Sequence, residues 1–159
     1  MISMHITNVP LILSSLTFAL PYFAAVEVDN ITTAVCWGAL TCMSTLVHIT
    51  KQPYHLHGQG NCIPVLYFLD CTALYICAVR AVMDGYAAGP AGAMIAAIVL
   101  GYAAVVFYGG SYHNTFVYDR TRPDMSILIH VSTHLLSSVG CTGLVYLRAL
   151  KTNANLLEN

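Results

Sequence analysis

Seven histidines stand in a chain that holds only six Lys and Arg together, and three of them sit inside apolar runs at spacings that suit a metal ion. His130 and His134 are four residues apart, so on a helix their rings lie one turn apart on one face and can offer nitrogens to a single ion. His48 follows Ser44 by the same interval, and Asp70 is an acid in an otherwise apolar stretch. Three neutral imidazoles and one water complete a tetrahedral Zn²⁺ site of the catalytic type, with a position open to substrate. Asp70 would then accept a hydrogen bond from the water or take its proton, and Ser44 would donate toward a developing oxyanion. Any one such residue is also an ordinary hydrogen-bond partner between helices. The combination of Ser44, His48, Asp70, His130 and His134 carries the chemistry.

The elements that must position these groups are membrane spans. Hydrophobic residues make up 57% of the 159 and charged residues 8%, where an average soluble domain is about one-quarter charged. The mean hydropathy is +0.69. Such a chain is solvated by lipid, and its apolar content excludes disorder. Six basic against seven acidic residues leave no basic face, so a nucleic-acid partner is excluded as well. Five stretches approach the roughly 20 apolar residues that a spanning helix needs: about 9–26, 31–50, 62–83, 89–108 and 125–147. The expected fold is therefore all-α, a multi-pass transmembrane helical bundle of about five spans in one domain over 1–159. Two-residue alternation, the mark of a membrane barrel, is missing.

Between the spans lie Val28-Asp29-Asn30, Gln52-Pro53, Gly58-Gln59-Gly60, Asp84-Gly85 and Arg122-Pro123-Asp124, all breaker sequences. Pro21 predicts a kink in the first span, which lacks a basic leader and reads as retained. Following the chain back and forth puts the end of span two, the start of span three and the start of span five on one side. His48, Asp70, His130 and His134 then share one half of the membrane. Orientation stays open: Lys51, Arg120 and Arg122 flank one side, Arg80, Arg148 and Lys151 the other. The six cysteines, Cys36, Cys42, Cys62, Cys71, Cys77 and Cys141, include no CxxC pair and read as small buried hydrophobes. Asn30-Ile31-Thr32 matches a glycosylation sequon, directly against a span.

The order Ser44-x-x-x-His48, Asp70, His130-x-x-x-His134 resembles the membrane hydrolase superfamily of alkaline ceramidases, adiponectin/progestin receptors and GPI-remodelling proteins. The stretches Ser44-Thr45-Leu46-Val47-His48, Val65-Leu66-Tyr67-Phe68-Leu69-Asp70 and Ile129-His130-Val131-Ser132-Thr133-His134-Leu135 are most similar to its myomaker-like branch. The resemblance implies that His48, His130 and His134 bind zinc, with Ser44 and Asp70 around the metal-bound water. The superfamily pattern has seven spans. Loss of one antiparallel pair between the Asp span and the HxxxH span preserves the parity that brings the motifs together, while removing helices that help wall a lipid cavity.

Three functions remain open from the sequence. A zinc-dependent lipid amidase or esterase would use membrane lipids as substrates. A non-catalytic subunit of a larger membrane complex, respiratory or photosynthetic for example, would keep the motif as a structural metal or hydrogen-bond site. Its polar run Lys151-Thr152-Asn153-Ala154-Asn155 would be held by other subunits, or would fold back on the bundle. A haem anchor would pair His48 or His55 with His130 across the iron.

Overall fold

The computed structural model describes residues 9–50, 64–119 and 121–157. They form five long helices: α1 (Val9–Glu27), α2 (Ile31–Thr50), α3 (Pro64–Ala88), α4 (Pro90–His113) and α5 (Pro123–Leu157), each long and apolar enough to cross a membrane. Among the described residues there is no strand. Residues 51–63, with Lys51, His55, His57 and Cys62, and Arg120 lie outside the described residues. Each helix packs on its neighbour in sequence, α5 closes the ring against α1, and α5 also touches α3. The core between them includes Phe18, Trp37, Leu40, Cys77, Val99 and Leu144. Cys77 and Cys141 are buried, Cys36 and Cys71 half-buried and Cys42 exposed, all as free thiols.

The irregularity expected at Pro21 falls one turn earlier, as a 3₁₀ turn over Leu16–Phe18. Pro21 has no N–H for the carbonyl of Thr17, and its ring crowds that oxygen, so the preceding turn tightens. Hydroxyls reinforce the change: Ser14 donates to Leu11 O (3.1 Å), Ser15 to Ile12 O (2.8 Å) and Thr17 to Ser14 O (2.6 Å). At the start of α2, the Asn30 side-chain oxygen accepts from Thr33 N at 3.3 Å and caps the helix. The sequon asparagine thus has a structural task.

Asp84-Gly85, expected as a connection, lies inside α3, which continues to Ala88. Arg80, one turn earlier, pairs with Asp84 at 3.0 Å and holds it in the helix. The break comes at Gly89, whose φ of 91° only glycine adopts cheaply, with Pro90 opening α4. Gly85 also sets how closely α3 and α4 approach. A Cβ there would stand 2.8 Å from Ala96 Cβ and 2.9 Å from Gly92 O, neither at the end of a flexible side chain. Gly85→Ala is therefore expected to push the helices apart and cost about 1–3 kcal/mol. A thermal or detergent unfolding midpoint equal to wild type would refute that tight crossing.

The other two ends also differ from expectation. α4 runs on past residue 108 through a π-helical turn, Val105–Gly109, and stops where Asn114 turns left-handed at φ 52°. The following loop is anchored by Asp119, which accepts from Thr121 N (2.9 Å), Thr121 Oγ1 (2.6 Å) and Arg122 Nε (2.9 Å). The Thr121 hydroxyl first, and then Arg122, hold its carboxyl down at about 2, so the anchor stays anionic at ordinary pH. α5 runs ten residues beyond 147, with no Gly or Pro to stop it, and 151–157 are exposed. At 1.5 Å per residue a helix of that length spans roughly 52 Å, against a hydrocarbon core of about 30 Å.

Candidate metal centre

His48 lies near the end of α2, and His130 and His134 near the start of α5. The ring of helices brings these two ends together. One nitrogen from each of the three imidazoles lies within 4.8 Å of the other two. Nitrogens sharing a tetrahedral zinc would stand about 3.4 Å apart by the usual Zn–N length, so small side-chain rotations suffice to close the cluster. Ring centroids are 5.1 Å apart for His48–His130, 5.4 Å for His48–His134 and 4.7 Å for His130–His134. The three rings are in mutual contact, and His55, the other candidate haem partner of His130, lies outside the described residues.

His48 and His134 are buried, and His130 is half-buried, so the cluster opens on the His130 side. Two aromatic rings pack against it. Phe18, at the end of the 3₁₀ turn of α1, stands 4.9 Å from His134. Phe107, inside the π turn of α4, meets His130 edge-on at 5.4 Å. Such π turns recur at functional sites because they re-aim one side chain without ending the helix. Tyr102 of α4 also reaches α5, its hydroxyl 3.0 Å from Ser132 Oγ.

Ser44 is buried on α2, one turn before His48. Asp70 sits half-buried on α3, outside the group of mutually close donors. The structure thus unites the three histidines from α2 and α5. Ser14 was not among the residues singled out by spacing. Its hydroxyl lies 2.9 Å from Nδ1 of His134, and Ser15 reaches Thr45 of α2 at 3.0 Å. Thr17 Oγ1 contacts Ser138 Oγ at 2.9 Å, while Ser138 donates to the backbone oxygen of His134 at 2.7 Å. Depth was the available signal: Ser14-Ser15 is the polar pair of span one on the side where His48 and His130 lie.

A second polar cluster occupies the opposite end of the bundle. Asp84 is buried on α3 and pairs with Arg80 and with Arg148 of α5. Thr33 donates to Asp84 Oδ2 at 3.1 Å, and Arg80 reaches Thr33 Oγ1 (2.7 Å) and Asn30 Oδ1 (3.3 Å). One carboxylate thereby ties α2, α3 and α5. Tyr146 adds a bond from α5 to Glu27 of α1 at 2.6 Å. No protein-family model matches the chain, and no curated protein or solved structure matches it significantly.

Proposed function

We propose that this chain is a multi-pass membrane protein whose histidines hold a zinc ion and act on a lipid amide or ester, as the resemblance to the ceramidase-type membrane hydrolases implies. The observation that carries this reading is the convergence of three imidazole nitrogens within 4.8 Å from helices far apart in sequence. A set of three neutral nitrogen donors suits zinc better than the oxygen-seeking calcium or magnesium. Zinc bound there would supply Lewis acidity toward a carbonyl and a water.

The protein's own groups have separable tasks. His48, His130 and His134 are the ligands. Phe18 and Phe107 pack against His134 and His130 and hold these two rings in place. The half-buried His130 marks the side from which a lipid headgroup would approach. Asp70, half-buried on α3, would be the proton acceptor, directly or through a water.

The exposed far end of α5 favours a second reading, a non-catalytic subunit that keeps the metal as a staple. The exposed end of α5, with Leu150, Leu156 and Leu157 in the open, gives such a subunit a segment for a partner to hold. The deciding experiment is metal content by mass spectrometry on gently solubilised protein, followed by a screen of lipid amides and esters. About one zinc per chain with turnover supports the enzyme. Stoichiometric zinc without turnover supports the subunit with a metal staple, and absence of any metal overturns both the enzyme and the staple.

A further inference from the structure

We infer that Ser14 is a positioning residue: it holds His134 in the tautomer that carries its proton on Nδ1 and so keeps the lone pair on Nε2. The consequence for metal binding rests on the zinc reading above, whereas the tautomer itself does not. The Ser14 hydroxyl has one proton and two close neighbours, Leu11 O at 3.1 Å and His134 Nδ1 at 2.9 Å. A carbonyl oxygen can only accept, while a ring nitrogen can do either. Both contacts are hydrogen bonds in a single assignment, with Ser14 donating to Leu11 and accepting from Nδ1–H of His134. In a neutral imidazole the other nitrogen then bears the lone pair.

The surroundings hold both partners still. Ser14 is buried, and its own-helix bond fixes the direction of its hydroxyl just before the 3₁₀ turn. His134 is fixed from two further sides, by the Phe18 ring at 4.9 Å and by the Ser138 bond to its backbone oxygen at 2.7 Å. A histidine in water favours the opposite tautomer, with its proton on Nε2, which would block that nitrogen as a ligand. Groups that orient metal-binding histidines in this way commonly contribute about 10–100-fold to metal affinity. Sequence spacing could not reveal the pair, because 120 residues separate its members.

The test uses the full chain, labelled with ¹⁵N-histidine, as wild type, Ser14→Ala and Ser14→Thr. Nitrogen shifts of the metal-free protein report the tautomer, and competition with a chelator reports zinc affinity. A His134 signal of the Nδ1–H type in wild type, lost in Ser14→Ala and kept in Ser14→Thr, is the expected result. Zinc affinity should fall about 10–100-fold in Ser14→Ala and be restored by the threonine hydroxyl. An Nε2–H signal in wild type, or an Nδ1–H signal unmoved by Ser14→Ala, overturns the inference. A wild type that binds no zinc, yet whose tautomer answers to Ser14, refutes the zinc reading and supports the positioning role.

Discussion

Asp84→Ala is expected to destabilise the bundle by about 3–5 kcal/mol, because it strands two guanidinium groups around one buried vacancy. Asp84 is 2% exposed and its Arg80 partner 12%, so water cannot easily replace the carboxylate. Arg148 is 34% exposed and can swing its head toward the membrane surface, which relieves part of the loss. Unfolded chains in a membrane find other polar partners too, so the lower end of that range is the better expectation. Unfolding in a denaturing detergent series measures it. Asp84→Asn, which keeps acceptor oxygen without charge, should fall between wild type and alanine. Adding Arg80→Met and Arg148→Met to an apolar residue at 84 should recover much of the stability, as apolar replacements of buried ion networks do. A midpoint for Asp84→Ala equal to wild type would show that α2, α3 and α5 are held by packing alone.

His134→Ala is expected to abolish metal binding and, with it, the stabilisation that metal confers. A ligand present at 100 times its dissociation constant adds about 2.7 kcal/mol to the folded state. Wild type should therefore gain that much on zinc addition, and His134→Ala should gain nothing. Losing a ligand should exceed the roughly 10–100-fold weakening caused by losing a supporting group. His48→Ala should behave likewise, since the site needs donors from both α2 and α5. His113 provides the control: it lies exposed at the end of α4 and is not one of the three grouped histidines, and His113→Ala should bind as wild type does. Equal zinc uptake by wild type and His134→Ala would remove the three-histidine centre.

Much of the fold was legible from composition, because a chain with 8% charged residues has few ways to satisfy its backbone in lipid. Helix ends were less legible. Asp84-Gly85 has the composition of a turn, yet the i, i+4 pair with Arg80 keeps it helical until Gly89 and Pro90 end the run. The spacing that explains this, Arg80 to Asp84, was present in the sequence. What was not present was Arg148, 64 residues further on, which gives the carboxylate its second charge partner.

The same contrast divides the candidate site. The i, i+4 interval of His130 and His134 follows from helix geometry alone, and span parity is enough to set His48 at their depth. Parity does not say how a helix is rotated about its axis, and rotation decides which side chains meet. Rotation aims His48 at α5, and it turns Ser14 of α1 toward His134. By itself, then, the sequence determined an all-helical chain apolar enough for lipid and three histidines at one level. Only the tertiary structure decided which hydroxyl and which rings stand beside them, because those contacts depend on the packing angles of five helices and not on any local spacing.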